Sequence, residues 1–285
     1  MGLQVAIPDT ALVDCSDLRQ KTTKVGAIAR ALAIFRVERV IIYETGMLRS
    51  RGKRDSDLIV RLLEYMDTPQ YLRRRVFPMT PSLKFVGILP PLRTRSHPLE
   101  SDTADLKVGA VRWGVQVRLG KVDIGLEQLV DYPESVSERD PTLFRVIQTA
   151  PKIGVEPITR NEVDEYWGYE VERASSLVDI LQRSKDMTRI VLSRHAPPFD
   201  RLEKDIESTV TNTKALLMVF GGPLRGVLEL FPDQKELIKE HTDFWANIIP
   251  NQGTETVRLE EAMIAGLALL NKSIGRILTT PGFHR

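Results

Sequence analysis

Two stretches of the chain alternate short apolar runs with helical patterns, and a middle stretch without helical periodicity holds them apart. That break constrains the fold more than any other feature. Residues 3–7 form an apolar run closed by Pro8-Asp9, which predicts a strand and a turn. Asp17 is placed to cap a helix running to Phe35, with Val25, Ile28, Ala29, Leu32 and Ile34 as its buried stripe. Residues 37–43 are rich in β-branched side chains and predict a buried strand. A second helix opens at Asp55 or Ser56, carries Leu58, Ile59, Leu62, Leu63 and Met66 at helical spacing, and is interrupted by Pro69. A further strand is predicted over 83–89, stopped by Pro90-Pro91. This order belongs to an α/β layer with parallel pairing.

Between residues 92 and 165 the pattern changes. Val111, Trp113, Val115, Val117 and Leu119 alternate with Arg112, Gly114, Gln116 and Arg118, which predicts a half-buried strand with a polar, basic outer face. Residues 122–126, 144–149 and 155–158 are further short strand candidates between Gly, Pro and charged turns. A run of short strands suits a small β-barrel, inserted between two parts of one α/β domain.

From Tyr169 the α/β rhythm resumes. Ser175 or Ser176 caps a helix through Gln182, 188–192 reads as a strand, 200–209 as a helix, and 215–220 and 244–249 as strands. A last helix is predicted from Thr254 or Thr256 to Leu270, with Glu255, Glu260 and Glu261 near its positive end. Its second half, residues 262–270, is apolar on nearly every face and wants burial all round, in its own core or against a second subunit.

Composition excludes several classes. The apolar runs 215–222 and 262–270 are too short to span a bilayer. No basic segment precedes an apolar one at the N-terminus, and Ala6 lacks the hydroxyl of a myristoylation signal, so a cytoplasmic protein is expected. One cysteine, Cys15, excludes an internal disulfide framework, and with only four histidines no metal site is expected.

The formal net charge of +2 conceals an uneven distribution. Residues 1–91 carry 15 basic and 9 acidic side chains, whereas residues 92–165 carry 10 and 13. The excess concentrates in Arg49, Arg51, Lys53 and Arg54 and in Arg73, Arg74 and Arg75, clusters of the kind that attract RNA by releasing its counterions. Arg112, Arg118 and Lys121 are further candidates for phosphate contact.

Three strand-to-helix junctions carry the chemistry. They are Ser193-Arg194-His195-Ala196-Pro197-Pro198, Gly221-Gly222-Pro223 and Pro250-Asn251-Gln252-Gly253-Thr254. Ligands of α/β sheets sit at the carboxyl ends of strands. Glycines there let the backbone approach a ligand, and prolines set the loop shape in advance. Neither a P-loop nor a Gly-x-Gly-x-x-Gly helix start occurs, so a nucleoside-like ligand held by main-chain groups is expected rather than a polyphosphate.

Val219-Phe220-Gly221-Gly222-Pro223, then Ile249-Pro250-Asn251-Gln252-Gly253-Thr254-Glu255-Thr256-Val257-Arg258 and Glu260-Glu261-Ala262, resemble the C-terminal signature of the SPOUT-class RNA methyltransferases. The resemblance is strongest to an archaeal and eukaryotic subfamily with a β-barrel insertion, described as methylating uridine N3 of large-subunit ribosomal RNA. Asp17-Leu18-Arg19-Gln20-Lys21-Thr22-Thr23-Lys24-Val25-Gly26 and Thr68-Pro69-Gln70-Tyr71-Leu72-Arg73-Arg74 are similar to it as well.

The resemblance implies a knotted Rossmann-like α/β domain of the SPOUT class with an inserted, OB-like barrel. The domain's first part is then 1–91, the insertion 92–165, and the second part, with a trefoil knot, 166–285. It implies S-adenosylmethionine bound by the knot loops of a homodimer. Carried over residue by residue, the cofactor contacts are Ser193, Arg194, Phe220, Gly221, Gly222, Pro223, Ile249, Pro250, Asn251, Gln252, Gly253, Thr254 and Val257.

Uridine N3 holds a proton at neutral pH and becomes a nucleophile only when that proton leaves and the charge is stabilised. Arg194 is the candidate for stabilising it, Asn251 for orienting the base edge, and His195 for the base, unless it only packs the turn. A ribosome-assembly factor that binds RNA without catalysis and a protein methyltransferase on the same scaffold are the competing expectations.

Overall fold

The computed structural model describes residues 2–48, 50–213 and 215–275, with backbone alone at 50–53. In chain order the elements are β1 (Leu3–Pro8), α1 (Leu18–Ile34), β2 (Arg39–Tyr43), α2 (Ser50–Asp67), α3 (Gln70–Val76), β3 (Val111–Arg118), β4 (Lys121–Asp123), β5 (Val130–Asp131), β6 (Thr142–Gln148) and β7 (Gly154–Ile158). They continue as β8 (Glu170–Ala174), α4 (Leu177–Arg183), β9 (Thr188–Leu192), α5 (Phe199–Thr213), β10 (Leu216–Val219), α6 (Val227–Leu230), α7 (Lys235–Glu240), β11 (Phe244–Ala246) and α8 (Leu259–Ile274). The fold is α/β, with one parallel and one separate antiparallel sheet, and the chain forms two compact units.

Among the described residues, the first unit comprises those up to 64, 85–90 and 169–275. Its parallel sheet runs β11-β9-β10-β1-β2-β8. Val5, Ala6 and Ile7 are all fully buried, because helices cover both faces of the sheet. One face packs Ile41, Val191, Leu217 and Val219 against Leu177, Ile180 and Ile238. Helix α1 begins where the sequence predicts: the Asp17 side chain accepts from the Gln20 N–H.

Other elements differ from expectation. No strand forms over 83–89. Two single 3₁₀ turns, Pro81–Leu83 and Val86–Ile88, stand there instead, started by a proline that sets a helical φ. Strand β8 was not foreseen, because its Glu-Val-Glu-Arg-Ala sequence hides a single-neighbour edge strand under charge. Helix α8 starts at Leu259 rather than Thr254 or Thr256. The Gln252 side chain donates to the Thr254 and Glu255 carbonyls, and the Thr254 hydroxyl donates to the Thr256 carbonyl, so these carbonyls are tied into a loop. Within this unit, α8 buries Met263, Leu267 and Leu270 but leaves Ile264 47% exposed.

The second unit comprises residues 65–84 and 91–168. Its antiparallel sheet runs β5-β4-β3-β6-β7 around Val122, Ile124, Tyr132, Phe144 and Val146. The face of β3 is the reverse of the alternation expected at its start. Arg112 and Gly114 are buried, while Val111 and Trp113 are half-buried. The cause is Gly114, where a Cβ would stand 2.8 Å from Ile124 and 2.9 Å from Phe144, so the glycine rather than a valine faces the core.

In this unit the His97 ring bonds the Asp67 carbonyl at 2.8 Å, and burial pushes its pKa below the ordinary 6.5. The unfolded chain therefore binds more protons below that value. Stability falls as pH drops through 6.5 toward the folded pKa, by at most about 1.4 kcal/mol per pH unit. Thermal melts between pH 7.5 and 5 should show the native protein losing more than His97→Gln, which keeps a donor and cannot titrate. Parallel losses would refute the assignment.

Candidate active site

The carboxyl ends of β9, β10 and β11 open into loops that share one cavity of about 280 Å³. Its wall takes Ser193 and Arg194 from the first loop, Phe220, Gly221, Gly222 and Pro223 from the second, and Ile249, Gln252 and Val257 from the third. Pro250, Asn251, Gly253 and Thr254 belong to the third loop but do not line the cavity. Asn251 is exposed and has a left-handed backbone, φ 63°, which asparagine tolerates better than most residues.

The second loop is built around the absence of a side chain. A Cβ at Gly221 would lie 3.0 Å from the Gly226 Cα, 3.1 Å from the Arg225 carbonyl oxygen and 3.1 Å from the Val227 nitrogen. Backbone cannot yield as a side-chain tip can. The Gly222 N–H donates to the Arg225 carbonyl at 2.8 Å, and the Glu229 carboxylate accepts from the Gly226 N–H at 2.9 Å. Behind the loop, the Tyr43 hydroxyl donates to the Phe220 carbonyl at 2.6 Å. Burial raises the Tyr43 pKa far above its usual value, so the hydroxyl remains a donor. Asp9, at the end of β1, accepts from the Thr45 N–H and hydroxyl, and burial raises its pKa above the ordinary carboxylate value.

Asn247 cross-links the first and third loops. Its amide donates to the Arg194 carbonyl at 2.9 Å, and its side-chain oxygen accepts from the Ile249 N–H at 3.0 Å. Sequence reasoning missed it. The available signal was an asparagine at a strand end, where its side chain mimics a backbone turn. Arg194 is exposed; it donates to the His195 Nε2 at 3.2 Å and to the Glu255 carbonyl at 3.4 Å. His195 therefore presents that nitrogen as an acceptor.

A second cavity of about 580 Å³ in the same unit shares Pro223, Leu224 and Thr256 with the first. Arg19, Arg258 and Lys24 also line it. The Lys24 ammonium is buried, 2.7 Å from Asp14 and 3.3 Å from Glu260.

The basic candidates have several environments. Arg49 lies outside the described residues, as do the side chains of Arg51 and Lys53, while Arg54 is exposed in the first unit. In the second unit Arg73 donates to the Thr68 and Met66 carbonyls and stacks over Tyr65, and Arg75 pairs with Asp123 at 2.8 Å. Arg74 and Arg118 are exposed, and Lys121 pairs with Asp131 at 2.5 Å. Arg112, expected on an outer face, is buried because the β3 face is reversed. Among the described residues no group of three His, Cys, Asp or Glu could hold a metal ion, and no helix is long and apolar enough to cross a membrane.

A protein family described as "Putative RNA methyltransferase" matches residues 2–270. An uncharacterised protein of Halobacterium salinarum is 30% identical over 95% of this chain and 99% of its own length. The 28S rRNA (uridine-N(3))-methyltransferase of Homo sapiens is 28% identical over 95% of this chain and 78% of its own length. That of Drosophila melanogaster is 27% identical, and the match spans 62% of its length.

Proposed function

Since the chain belongs to this RNA methyltransferase family, matched over residues 2–270, we propose that it transfers a methyl group from S-adenosylmethionine to N3 of a uridine in large-subunit ribosomal RNA. The observation that carries this reading is the meeting of three loops, distant in sequence, around one cavity at the carboxyl ends of β9, β10 and β11. Its volume of about 280 Å³ falls just below the range of about 300–1,000 Å³ typical of small-molecule sites. The second loop keeps its shape only with glycine at 221, since a side chain there would collide with the backbone of residues 225–227. These features fit a bent nucleoside-like cofactor, and bound S-adenosylmethionine would supply a methyl group already activated by its sulfonium.

The residues then have distinct tasks. Ser193, Phe220, Gly221, Gly222, Pro223, Ile249, Gln252 and Val257 hold the cofactor, with Pro250, Gly253 and Thr254 shaping the third loop. The N3 proton passes to solvent water, and Arg194 stabilises the negative charge that uracil then carries. Asn251, exposed on the third loop, orients the base edge. The acceptor uridine enters through the neighbouring cavity that shares Pro223, Leu224 and Thr256. Holding donor and acceptor in line can supply about 7–11 kcal/mol of the barrier.

The fold that goes with this reading is a knotted Rossmann-like domain of the SPOUT class. Its parts are 1–91 and 166–285, with an OB-like insertion over 92–165. The parallel sheet, the convergence of the three loops and the antiparallel order β5-β4-β3-β6-β7 support it. A homodimer goes with it too, supported by the exposed Ile264 on α8 and the exposed Leu224 at the cavity. The exposed Arg54, Arg74 and Arg118 suit RNA, as does a cytoplasmic site of action. Incubation with methyl-labelled S-adenosylmethionine and ribosomal RNA, followed by nucleoside analysis, should yield labelled 3-methyluridine. Label in another nucleoside would overturn the uridine assignment, and label only in added ribosomal protein would overturn the RNA substrate.

A further inference from the structure

A cavity of about 880 Å³ in the second unit has no part in the chemistry above. Residues of 91–100, 109–112 and 162–167 line it, together with Gln70 and Arg145. Two residues that line it each carry a hydrogen-bond donor that is buried without an acceptor among the described residues: the Arg112 Nη1 and the Trp167 indole N–H. Both side chains are more than nine-tenths buried and held in place. Arg112 donates its other terminal nitrogen to the Glu100 carbonyl at 3.0 Å, and Arg160 donates to the Trp167 carbonyl at 2.8 Å. Native proteins rarely leave buried donors unmet, and neither group can accept a hydrogen bond. An acceptor supplied by a ligand would satisfy both.

The charge around the donors narrows the ligand. Four arginines and four carboxylates line the cavity, so it is not a trap for a polyanion. Some are already engaged. Glu162 accepts from the Thr159 N–H and hydroxyl at 2.7 Å, Arg145 donates to the Glu162 carbonyl, and Arg95 pairs with Glu165 at 3.4 Å. Asp164 is exposed and supplies acceptors at the wall. The ligand thus presents acceptors to buried donors and donors to a carboxylate, with little net charge. Arg93, at the same wall, has a left-handed backbone, φ 55°, a strained conformation that concentrates at ligand-binding loops.

We propose that this cavity takes an unpaired guanine base from a single-stranded stretch of RNA. Guanine carries O6 and N7 as acceptors on one edge and N1–H and N2–H₂ as donors beside them. Single-stranded RNA is read by bases splayed out of the stack, and the volume admits a base with its sugar. The choice of RNA as the source rests on the RNA methyltransferase reading. The cavity then acts as a second anchor that selects which stretch of RNA is presented.

The test uses the full chain, without cofactor, and fluorescence anisotropy of labelled oligouridylates. One strand has a single central guanosine, one has 7-deazaguanosine there, one an abasic site and one uridine. The guanosine strand should bind about tenfold more tightly than the all-uridine strand. The 7-deazaguanosine and abasic strands should lose that gain, as should the guanosine strand annealed to its complement. Arg112→Met and Trp167→Phe should each erase the guanosine preference and leave all-uridine binding unchanged. Should Arg112→Met fail to fold, Trp167→Phe and the base analogues on the native protein still decide. A 6-thioguanosine strand should photo-cross-link to peptides containing 91–100 or 162–167.

Equal binding of all strands, a preference that survives Trp167→Phe, or cross-links only elsewhere would overturn the proposal. Free guanosine monophosphate binding as tightly as the strand would overturn RNA as the source. Because no step requires methyl transfer, loss of the guanosine preference with 3-methyluridine still formed refutes this cavity alone.

Discussion

Gly221→Ala should weaken S-adenosylmethionine binding on the order of 100-fold, and Gly221→Val should abolish it, with the fold retained in both. The added Cβ meets main-chain atoms of residues 225–227 at 3.0–3.1 Å, so the second loop must move as a whole. Overpacking of this kind costs about 1–3 kcal/mol, and here the strain falls on the cavity wall. Calorimetric titration reads the affinity, and circular dichroism checks the fold. Native affinity in Gly221→Ala would mean that this backbone does not approach the cofactor. A shallower loss is expected for Tyr43→Phe, which leaves the Phe220 carbonyl without its 2.6 Å donor but adds no bulk.

The largest expected loss of stability is at Lys24. Its ammonium is 4% exposed and lies between Asp14 on the approach to α1 and Glu260 in the first turn of α8. The Glu260 oxygen 3.3 Å from this ammonium is buried and makes no hydrogen bond among the described residues, so the ion pair with Lys24 is what compensates it. Lys24→Met removes the positive charge that pairs with both Asp14 and Glu260 and leaves their two carboxylates uncompensated, at a cost of about 3 kcal/mol. The triple variant Lys24→Met, Asp14→Asn, Glu260→Gln should recover more than half of the loss, since no uncompensated charge remains. Urea denaturation reads both. A single variant within about 0.5 kcal/mol of native would place the cluster among weak surface pairs.

Periodicity and end signals made much of the first unit legible. Asp17 caps α1 by the hydrogen bond its position implies, Ser176 caps α4, and β9 occupies 188–192 as expected. These elements were readable because local preference and tertiary burial agree. Where they disagree, the sequence misleads. The apolar run 83–89 resembles a strand but follows a 3₁₀ turn begun by Pro81, and the charged β8 does not resemble one, although it pairs along all five residues with β2. On β3 the valines and tryptophan outvote one glycine in any hydropathy count, yet the packing of Ile124 and Phe144 at Gly114 decides the face. That reversal buried Arg112 and turned an expected surface contact into the wall of a cavity.

The site shows the same division. Gly221-Gly222-Pro223 and 193–198 stood out by residue type, and both reach the cavity. The third loop was legible as a loop, but not which of its residues face inward. Gln252 lines the wall while Asn251 does not, because the positive φ at Asn251 turns the chain between them. Asn247 and Tyr43 were invisible, since a single asparagine or a buried tyrosine carries no pattern until its partner, the Arg194 or Phe220 carbonyl, is brought beside it.

The central claim is that three loops far apart in the chain grip one methyl donor. Hydrogen exchange of the full chain, with and without S-adenosylmethionine, tests it most directly. Slowed exchange is expected together in peptides covering 193–198, 220–226 and 247–257, at the same cofactor concentration. Protection of one loop alone, or of none while the cofactor is bound, would contradict the account.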